Sequence, residues 1–265
     1  IPVFYYAPPQ IWAWASWRAK KMRRLVDHVL CGLPFEEKWF REHGCNATLM
    51  GHPFFDEVDD QQLDERFMSR LREEPGPLVA ILPGSRTQEV EHNIDGLLRA
   101  VEKIGAKVPH ARFAVAAFKS SQAEFVRKKT AKSGMPVEVH TGRTPELIRA
   151  ADCCISVSGS VSLELLYHTK PTVIQYQIGR VAFLFQRLLR NVKYITLVNL
   201  LAADELFPED VTEFDPAQAD ADQVPFPEYL TCEDKSSQIA AHIIEWLTDP
   251  LARQARIDQL AALKA

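Results

Sequence analysis

Residues 78–86 read LVAILPGSR, and residues 153–164 read CCISVSGSVSLE. Each segment opens with a short apolar run, passes through a loop of small residues, and leads into a stretch with helical periodicity. Strand, loop and helix units of this kind are typical of a parallel sheet that helices cover on both faces. Because ligands bind at the carboxyl ends of the strands in such sheets, both loops are candidates for a binding site.

The same alternation extends along the chain from these two segments. It predicts strands at residues 78–82, 112–118, 136–139, 153–157 and 171–176, and helices at residues 88–105, 121–133, 144–151 and 161–168. A further amphipathic helix is predicted at residues 180–193, with an apolar arc that holds Val181, Leu184, Phe185, Leu188 and Leu189. Residues 208–230 are predicted to be irregular, and residues 237–247 to form a closing helix.

The sequence of the N-terminal segment predicts fewer helices and strands. Residues 1–6 favour a buried strand, since Val3, Phe4, Tyr5 and Tyr6 suit a pleated apolar position. Helices are predicted at residues 16–30 and 35–43, and a short strand at residues 48–50. Because no methionine precedes the first strand, we expect the chain to begin inside a domain.

The strongly charged segment at residues 56–76 leads into a run of proline and glycine, which is typical of a linker. We therefore predict two domains, residues 1–76 with the linker included and residues 77–265. The total of 265 residues fits this division, because domains usually hold roughly 100 to 200 residues.

The composition is that of an ordinary folded protein, with 46% apolar and 25% charged residues. No apolar run approaches the ~18 residues that a membrane-spanning helix needs, and the opening stretch lacks the pattern of a signal peptide. The net charge of −4 argues against general nucleic-acid binding. Residues 1–50, however, carry a local charge of +3 that would suit an anionic lipid surface.

The five cysteines show no CxxC spacing and lie mostly in apolar surroundings. An odd number in this context favours reduced, buried thiols over disulfides or a zinc site. The five are Cys31, Cys45, Cys153, Cys154 and Cys232.

Two of the strand-to-helix loops predict an anion site. Gly84 and Ser85 let backbone amides approach a ligand closely, and Arg86 can pair with a phosphate. In the second loop Glu164 lies one turn into the helix, where it can accept hydrogen bonds from ribose hydroxyls. The small residues of this loop, which would offer amides to a diphosphate, are Ser158, Gly159 and Ser160. A plain turn with a solvated arginine or glutamate is the alternative for each loop.

A third block, residues 197–209, places Asn199, Glu205 and Glu209 in apolar surroundings. Polar groups in such surroundings can converge on a ligand, or can cap a helix and face solvent. The Asp220-Ala221-Asp222 triplet imitates a metal-binding DxD motif, but no strand precedes it and we interpret it as chance. We interpret His52 as a turn or core histidine.

Taken in order and spacing, several blocks resemble lipid-A-disaccharide synthases. The most specific is YYAPPQIWAW at residues 5–14. The others are GHP at residues 51–53, LPGSR at residues 82–86, SGSVSLE at residues 158–164 and NLLA at residues 199–202. The resemblance covers essentially the whole chain.

The resemblance implies a GT-B-type α/β fold, in which two Rossmann-like domains face each other and parallel sheets carry helices on both faces. The first domain would be incomplete here and would face the acceptor and the membrane, and the second would bind the UDP-sugar. The reaction implied is transfer of 2,3-diacylglucosamine from UDP to the 6-hydroxyl of 2,3-diacylglucosamine 1-phosphate, with inversion, to form the β-1,6 lipid A disaccharide. No cofactor and no metal are expected, because the UDP-sugar is itself a substrate.

Residue roles follow from the same resemblance. Arg86 would neutralise the departing diphosphate, and Gln10 would lie on the cleft side of the first domain as a second catalytic residue. Residues 158–160 would present amides to the diphosphate, and Asn199, Glu205 and Glu209 would line the nucleotide pocket.

The sequence also departs from the family pattern. Ser160 and Ser162 replace the usual threonine and alanine, and Val198 replaces the proline before Asn199. The family's candidate catalytic aspartate lies upstream of residues 1–6, so we expect a chain that binds UDP without being active alone.

Tryptophans and bases lie side by side near the N-terminus, a combination that suits a membrane interface. The candidate membrane contacts are Trp12, Trp14, Trp17, Arg18, Lys20, Lys21, Arg23 and Arg24. A buried position for the tryptophans with solvated bases is the alternative. We expect a cytoplasmic protein that is peripheral on the cytoplasmic face of the inner membrane, with both acylated sugars and that membrane surface as partners. A homodimer is left open, and no nucleic-acid partner is expected.

Two other functions remain as alternatives. One is another UDP-N-acetylhexosamine glycosyltransferase or epimerase of the same fold, against which the block at residues 5–14 argues. The other is a non-catalytic module that binds a nucleotide sugar or a membrane surface. A requirement for an acylated acceptor would separate these functions from the one implied by the resemblance.

Overall fold

The computed structural model describes residues 1–157, 159–209, 211 and 213–264, with the backbone alone at residues 132 and 133. Its strands form two parallel sheets. The smaller has the order β1-β2-β3, with β1 at Phe4–Tyr6, β2 at His28–Cys31 and β3 at Ala47–Leu49. The larger has the order β6-β5-β4-β7-β8-β9. Its strands are β4 (Leu78–Leu82), β5 (Arg112–Ala117), β6 (Val137–Thr141), β7 (Cys153–Val157), β8 (Thr172–Gln177) and β9 (Glu228–Thr231).

Helices connect and cover these strands. Those of the first segment are α1 (Ile11–Trp14), α2 (Ala19–Leu25), α3 (Pro34–Glu42), α4 (Pro53–Asp59) and α5 (Glu65–Glu73). The larger sheet is accompanied by α6 (Thr87–Lys107), α7 (Ser120–Ser133), α8 (Thr144–Ala150), α9 (Val161–Tyr167), α10 (Arg180–Leu189), α11 (Leu197–Ala202), α12 (Ser236–Thr248) and α13 (Pro250–Lys264). Short 3-10 helices lie at Ser16–Arg18 and Ala221–Gln223.

The larger sheet confirms the predicted α/β fold with parallel strands and helices on both faces. Side chains alternate between two cores because successive residues of a strand point to opposite faces. In β4, Val79 and Ile81 pack in the core beneath α6 and α12, whereas Leu78, Ala80 and Leu82 join the core beneath α8 and α9. Both faces of the strand are therefore buried, which explains its continuous apolar sequence.

Strands β4 to β8 and helices α6 to α9 match the predicted elements to within one or two residues at each end. The irregular chain predicted up to residue 230 is wrong at its end, because residues 228–231 form the edge strand β9 beside β8. The helix at residues 236–248 does not close the chain, since α13 follows it. Helix α10 is also shorter than predicted and ends at Leu189, where Arg190 turns extended.

Two predictions for the first segment are wrong. The helix predicted at residues 16–30 ends at Leu25, and residues 28–31 instead form β2, the central strand of the smaller sheet. Pairing on both sides of this strand outweighs the helical spacing of its apolar residues. The first strand was predicted to be buried, but Phe4, Tyr5 and Tyr6 are 60%, 39% and 52% exposed because β1 lies at the sheet edge.

The segment predicted as a linker is largely helical. Helix α5 starts at Asp64, whose side chain accepts the Phe67 backbone N–H at 3.0 Å, and it buries Met68 and Leu71 against α8. A cap and an apolar stripe of this kind stabilise a helix in an otherwise charged sequence. The domain boundary at residue 76 stays a prediction.

All five cysteines are free thiols, as predicted. Four of them are buried, and desolvation raises the pKa of Cys31 and of Cys154 to about 12. These thiols are therefore protonated near neutral pH and behave as small apolar groups.

Ile155 tests the two-faced core, because it lies in the middle of β7 with no exposed surface. We expect Ile155→Ala to lower the free energy of unfolding by about 2–5 kcal/mol, through lost burial and a cavity. Val181→Ala, at a side chain that is 70% exposed, is the matched control and should change it by less than about 0.5 kcal/mol. Urea denaturation measures both, and equal effects would contradict the described core.

Candidate functional site

The loops after β4 and β7 lie side by side because these two strands are hydrogen-bonded neighbours, with Leu82 opposite Ser156. The chain proceeds from β4 towards β5 on one side and from β7 towards β8 on the other. This order is the Rossmann order, and its topological switch point lies between β4 and β7. A cavity of about 450 Å³, here the switch-point cavity, opens at this position. Six of the residues predicted to bind a ligand line it: Gly84, Ser85, Arg86, Gly159, Ser160 and Glu164.

Gly84 is required by the shape of the first loop. Its φ of +109° is a conformation that L side chains rarely adopt. A Cβ at this position would lie 2.8 Å from Glu89 Oε2 and 2.9 Å from Glu89 Cβ. Glycine thus lets the loop pass close to the Glu89 side chain.

Glu89 holds Arg86 in place. Its carboxylate accepts the Arg86 backbone N–H at 3.2 Å and pairs with the Arg86 guanidinium at 2.8 Å. The Arg86 side chain remains 81% exposed at the N-terminus of α6, where the helix dipole favours an anion. Glu89 was not among the predicted site residues, although a glutamate three residues after a helix start is a known capping signal.

Glu164 lines the same cavity and is only 4% exposed. Desolvation raises the pKa of Glu164 to about 7, and a hydrogen bond from the Gln61 side chain partly opposes this rise. Within the described residues Glu164 Oε1 has no hydrogen-bond partner. A buried acceptor without a partner is costly, so this oxygen marks a place where a ligand hydroxyl would be stabilised. Gln61 had no recognisable signal in the sequence.

The second loop contributes small residues. Gly159 and Ser160 are exposed at the cavity, whereas Ser162 is buried and its Oγ donates to the Gly159 carbonyl at 2.8 Å. Ser158, predicted to offer an amide, lies outside the described residues.

A second cavity of about 410 Å³, here the α10 cavity, adjoins the first and shares Arg86 and Glu89 with it. Gln10, which follows β1 in the chain, lines this cavity. The structure therefore brings together Gln10 and Arg86, the two residues predicted to act in catalysis. They lie far apart in the sequence and follow strands of different sheets.

The third predicted block lies elsewhere. Asn199 and Glu205 line a separate cavity of about 300 Å³, and Glu209 lines none of the three cavities. Asn199 is fully buried, donates to the Phe226 carbonyl at 2.7 Å and to Glu228 Oε2 at 2.9 Å, and accepts the Phe226 N–H at 2.9 Å. Its amide thus ties α11 to the start of β9, and its role in a nucleotide pocket stays a prediction.

The buried Glu228 explains this use of Asn199. Its carboxylate also accepts the backbone N–H groups of Ile195 and Thr196 at 2.8 and 3.1 Å. Desolvation raises the pKa of Glu228, and these hydrogen bonds oppose the rise. Such a satisfied network fixes the chain between α10 and α11.

The predicted membrane contacts divide between core and surface. Trp12 is only 2% exposed and its Nε1 lies 3.4 Å from Glu36 Oε1, so its assignment as a membrane contact is wrong. Trp14 and Trp17 are 49% and 62% exposed and pack edge to face. The bases are exposed as predicted: Arg18, Lys20, Lys21, Arg23 and Arg24. No helix in the described part of the chain is both long and apolar enough to span a bilayer.

The remaining candidates have local roles. His52 caps α4 by accepting the Phe54 N–H at Nδ1 over 3.2 Å, which agrees with its interpretation as a turn residue. Asp220 pairs with Lys193 at 3.2 Å. Across residues 1–157, 159–209, 211 and 213–264, no group of three or more histidine, cysteine or acidic side chains is arranged to hold a metal ion.

Comparisons with known proteins agree with these features. A family model described as lipid-A-disaccharide synthetase matches residues 1–258. The lipid-A-disaccharide synthase of Anaeromyxobacter sp. (strain K) is 32% identical over 266 residues, which cover 100% of this chain and 64% of the relative. That of Myxococcus xanthus (strain DK1622) is 33% identical over 210 residues, 79% of this chain and 55% of the relative. The chain thus spans between 55% and 64% of the length of these two curated relatives.

Solved structures show a shared fold at low sequence identity. A UDP-N-acetylglucosamine 2-epimerase of Listeria monocytogenes has a TM-score of 0.56 at 10% identity, over 90% of this chain and 55% of the other. The UDP co-structure of S. aureus MnaA has a TM-score of 0.57 at 10% identity, over 90% of this chain and 56% of the other. This likeness shows the fold alone.

Gly84→Ala tests the close approach of the first loop. We expect the strained φ and the clash with Glu89 to lower the free energy of unfolding by about 1–3 kcal/mol. Gly159→Ala is the matched control, because a Cβ there meets no atom within 4 Å, and it should cost less than about 0.5 kcal/mol. Thermal or urea unfolding compares the two, and an equal cost would contradict this loop geometry.

Glu164→Gln tests the buried carboxyl through its dependence on pH. The folded-state pKa is raised from 4.5 to about 7, so the folded protein binds more protons than the unfolded chain in this window and loses stability as pH rises through it. Relative to wild type, we expect Glu164→Gln to gain on the order of 3 kcal/mol of unfolding free energy between about pH 4.5 and pH 8. Urea titrations measure this difference. The exposed Glu91→Gln is the control, and a pH-independent difference for Glu164→Gln would refute the raised pKa.

Proposed function

The chain belongs to the lipid-A-disaccharide synthetase family, and from this membership we propose that it supplies the UDP-sugar-binding part of the glycosyltransferase of lipid A biosynthesis, the part expected to bind UDP without being active alone. The reaction proposed is transfer of 2,3-diacylglucosamine from UDP to 2,3-diacylglucosamine 1-phosphate, which forms the β-1,6 disaccharide. The UDP-sugar is a substrate, and the proposal includes no further cofactor.

The observation that carries this proposal is that a basic and an acidic side chain, Arg86 and Glu164, line the same switch-point cavity. The Arg86 guanidinium is exposed at the start of α6, and the buried Glu164 Oε1 has no partner in the described structure. A nucleoside diphosphate matches both groups, since its phosphates pair with arginine and its ribose hydroxyls donate to a carboxylate. The volume of about 450 Å³ is within the range of small-ligand sites.

Charge moves from the acceptor to the diphosphate during the proposed transfer step. The acceptor 6-hydroxyl oxygen forms a bond to the anomeric carbon while the bond from that carbon to the UDP oxygen breaks, and the hydroxyl proton passes to water. Negative charge grows on the diphosphate as UDP leaves, and the fixed Arg86 guanidinium is placed to stabilise it. Gln10 lines the adjoining α10 cavity, where it would orient the sugar that reacts.

Acylated substrates reside in a membrane, and we place the protein on the cytoplasmic face of the inner membrane as a peripheral protein. The exposed Trp14 and Trp17 beside the exposed bases at residues 18–24 support this location. Aromatic rings suit the headgroup region of a bilayer, and basic side chains are attracted to anionic lipids. Trp12 is no part of this surface, because it is buried.

Calorimetric titration with UDP tests the nucleotide assignment. We expect binding that weakens by about 1.5–3 kcal/mol in Arg86→Ala, the range for hydrogen bonds to charged groups. Arg99→Ala is the matched control, since Arg99 lies on the same helix but lines neither cavity, and it should bind UDP like wild type. The same titration with EDTA present should give an unchanged affinity.

Two outcomes would count against the proposal. Absence of UDP binding by the wild-type protein would refute the assignment of the switch-point cavity. Binding of UDP-N-acetylglucosamine that is tighter than binding of UDP-2,3-diacylglucosamine would favour an epimerase or another N-acetylhexosamine enzyme instead.

A further inference from the structure

Helix α10 exposes its apolar face. None of its residues is buried, and Val181, Leu184 and Leu188 are 70%, 59% and 72% exposed. Helices of globular proteins normally turn such a stripe towards the core. A row of exposed large apolar side chains marks a site where something else binds.

The apolar face of α10 has two edges. Phe185 and Leu189, which are 61% and 52% exposed, line the α10 cavity. Val181, Leu184 and Leu188 lie on the outer edge and line none of the cavities described above. The inner edge is therefore part of a concave site, whereas the outer edge faces away from it.

The α10 cavity is amphiphilic. Phe185 and Leu189 form one wall together with Trp14 of α1, whereas Arg86 and Gln10 supply polar groups. An apolar wall beside a guanidinium complements a ligand that carries a hydrocarbon chain on an anionic group. A polar sugar alone would leave the apolar wall in contact with water.

The position of this cavity identifies which part of the ligand would enter it. Arg86 borders both cavities, so a diphosphate held by Arg86 with its uridine in the switch-point cavity leaves the attached sugar on the α10 side. We propose that the α10 cavity binds an acyl chain of the UDP-linked sugar, with Phe185 and Leu189 in contact with that chain. This proposal rests on the function proposed above and adds the element that selects an acylated sugar.

The burial of hydrocarbon sets the expected difference in affinity between an acylated and an unacylated sugar nucleotide. Each methylene removed from water strengthens binding roughly fourfold. Contact with a few methylenes therefore distinguishes an acylated from an unacylated sugar nucleotide by more than tenfold.

The test compares two probes by calorimetry. One is UDP-N-acetylglucosamine, and the other is a UDP-2,3-diacylglucosamine with chains of about eight carbons, kept below its critical micelle concentration. The ratio of the two affinities is the acyl gain, which we expect to exceed about tenfold in the wild-type protein.

Two double variants test the inner and the outer edge of α10 individually. Phe185→Ala combined with Leu189→Ala should lower the acyl gain at least roughly tenfold, while the affinity for UDP stays unchanged and reports an intact fold. Leu184→Ala combined with Leu188→Ala is the matched control on the outer edge and should keep the acyl gain within about twofold of wild type.

Two other outcomes of these titrations would contradict the acyl site, and they can be told apart. An acyl gain near one in the wild-type protein, or an equal loss in both double variants, with UDP still bound, refutes the acyl site and leaves the nucleotide assignment standing. Failure of the wild-type protein to bind UDP refutes the proposed function, and the acyl site falls with it.

Discussion

The adjacency of β4 and β7 in the larger sheet is the constraint on which the site depends. These two strands pair along their lengths, and the chain leaves them in opposite directions, which opens a gap between their carboxyl ends. The two loops of small residues, separated by more than seventy positions in the sequence, therefore border one cavity. Burial of both faces of these strands keeps them in register, because a slip of one residue would exchange the two cores.

Arg86 and Glu164 share this cavity but lie in opposite environments. The Arg86 side chain is 81% exposed, and Glu89 accepts one hydrogen bond from its guanidinium and one from its backbone N–H. The carboxyl group is withdrawn from water, so its pKa rises to about 7 and one of its oxygens lacks a partner in the described structure. An exposed cation and a buried acceptor that line one cavity favour a ligand with an anionic group and a hydroxyl donor.

The first segment completes the site from outside the larger sheet. Gln61 donates to Glu164, Phe54 lines the switch-point cavity, and Gln10 lines the α10 cavity. A backbone hydrogen bond of 3.0 Å from Asn191 to the Ala13 carbonyl joins the end of α10 to α1. The apolar inner edge of α10 and Trp14 thus line the same cavity as Arg86 and Gln10.

Sequence patterns alone were sufficient to predict the parallel α/β fold, the loops that bear Gly84, Arg86 and Glu164, and the free cysteines. Local signals suffice for these features, because apolar strands buried on both faces and glycine in a positive-φ turn have few alternatives. Three features became apparent only in the folded chain: the strand at residues 28–31, the burial of Trp12 and Asn199, and the hydrogen bond from Gln61 to Glu164. Each of these depends on a partner distant in the chain, and the free energy of strand pairing or burial against that partner outweighs the local preference that the sequence displays.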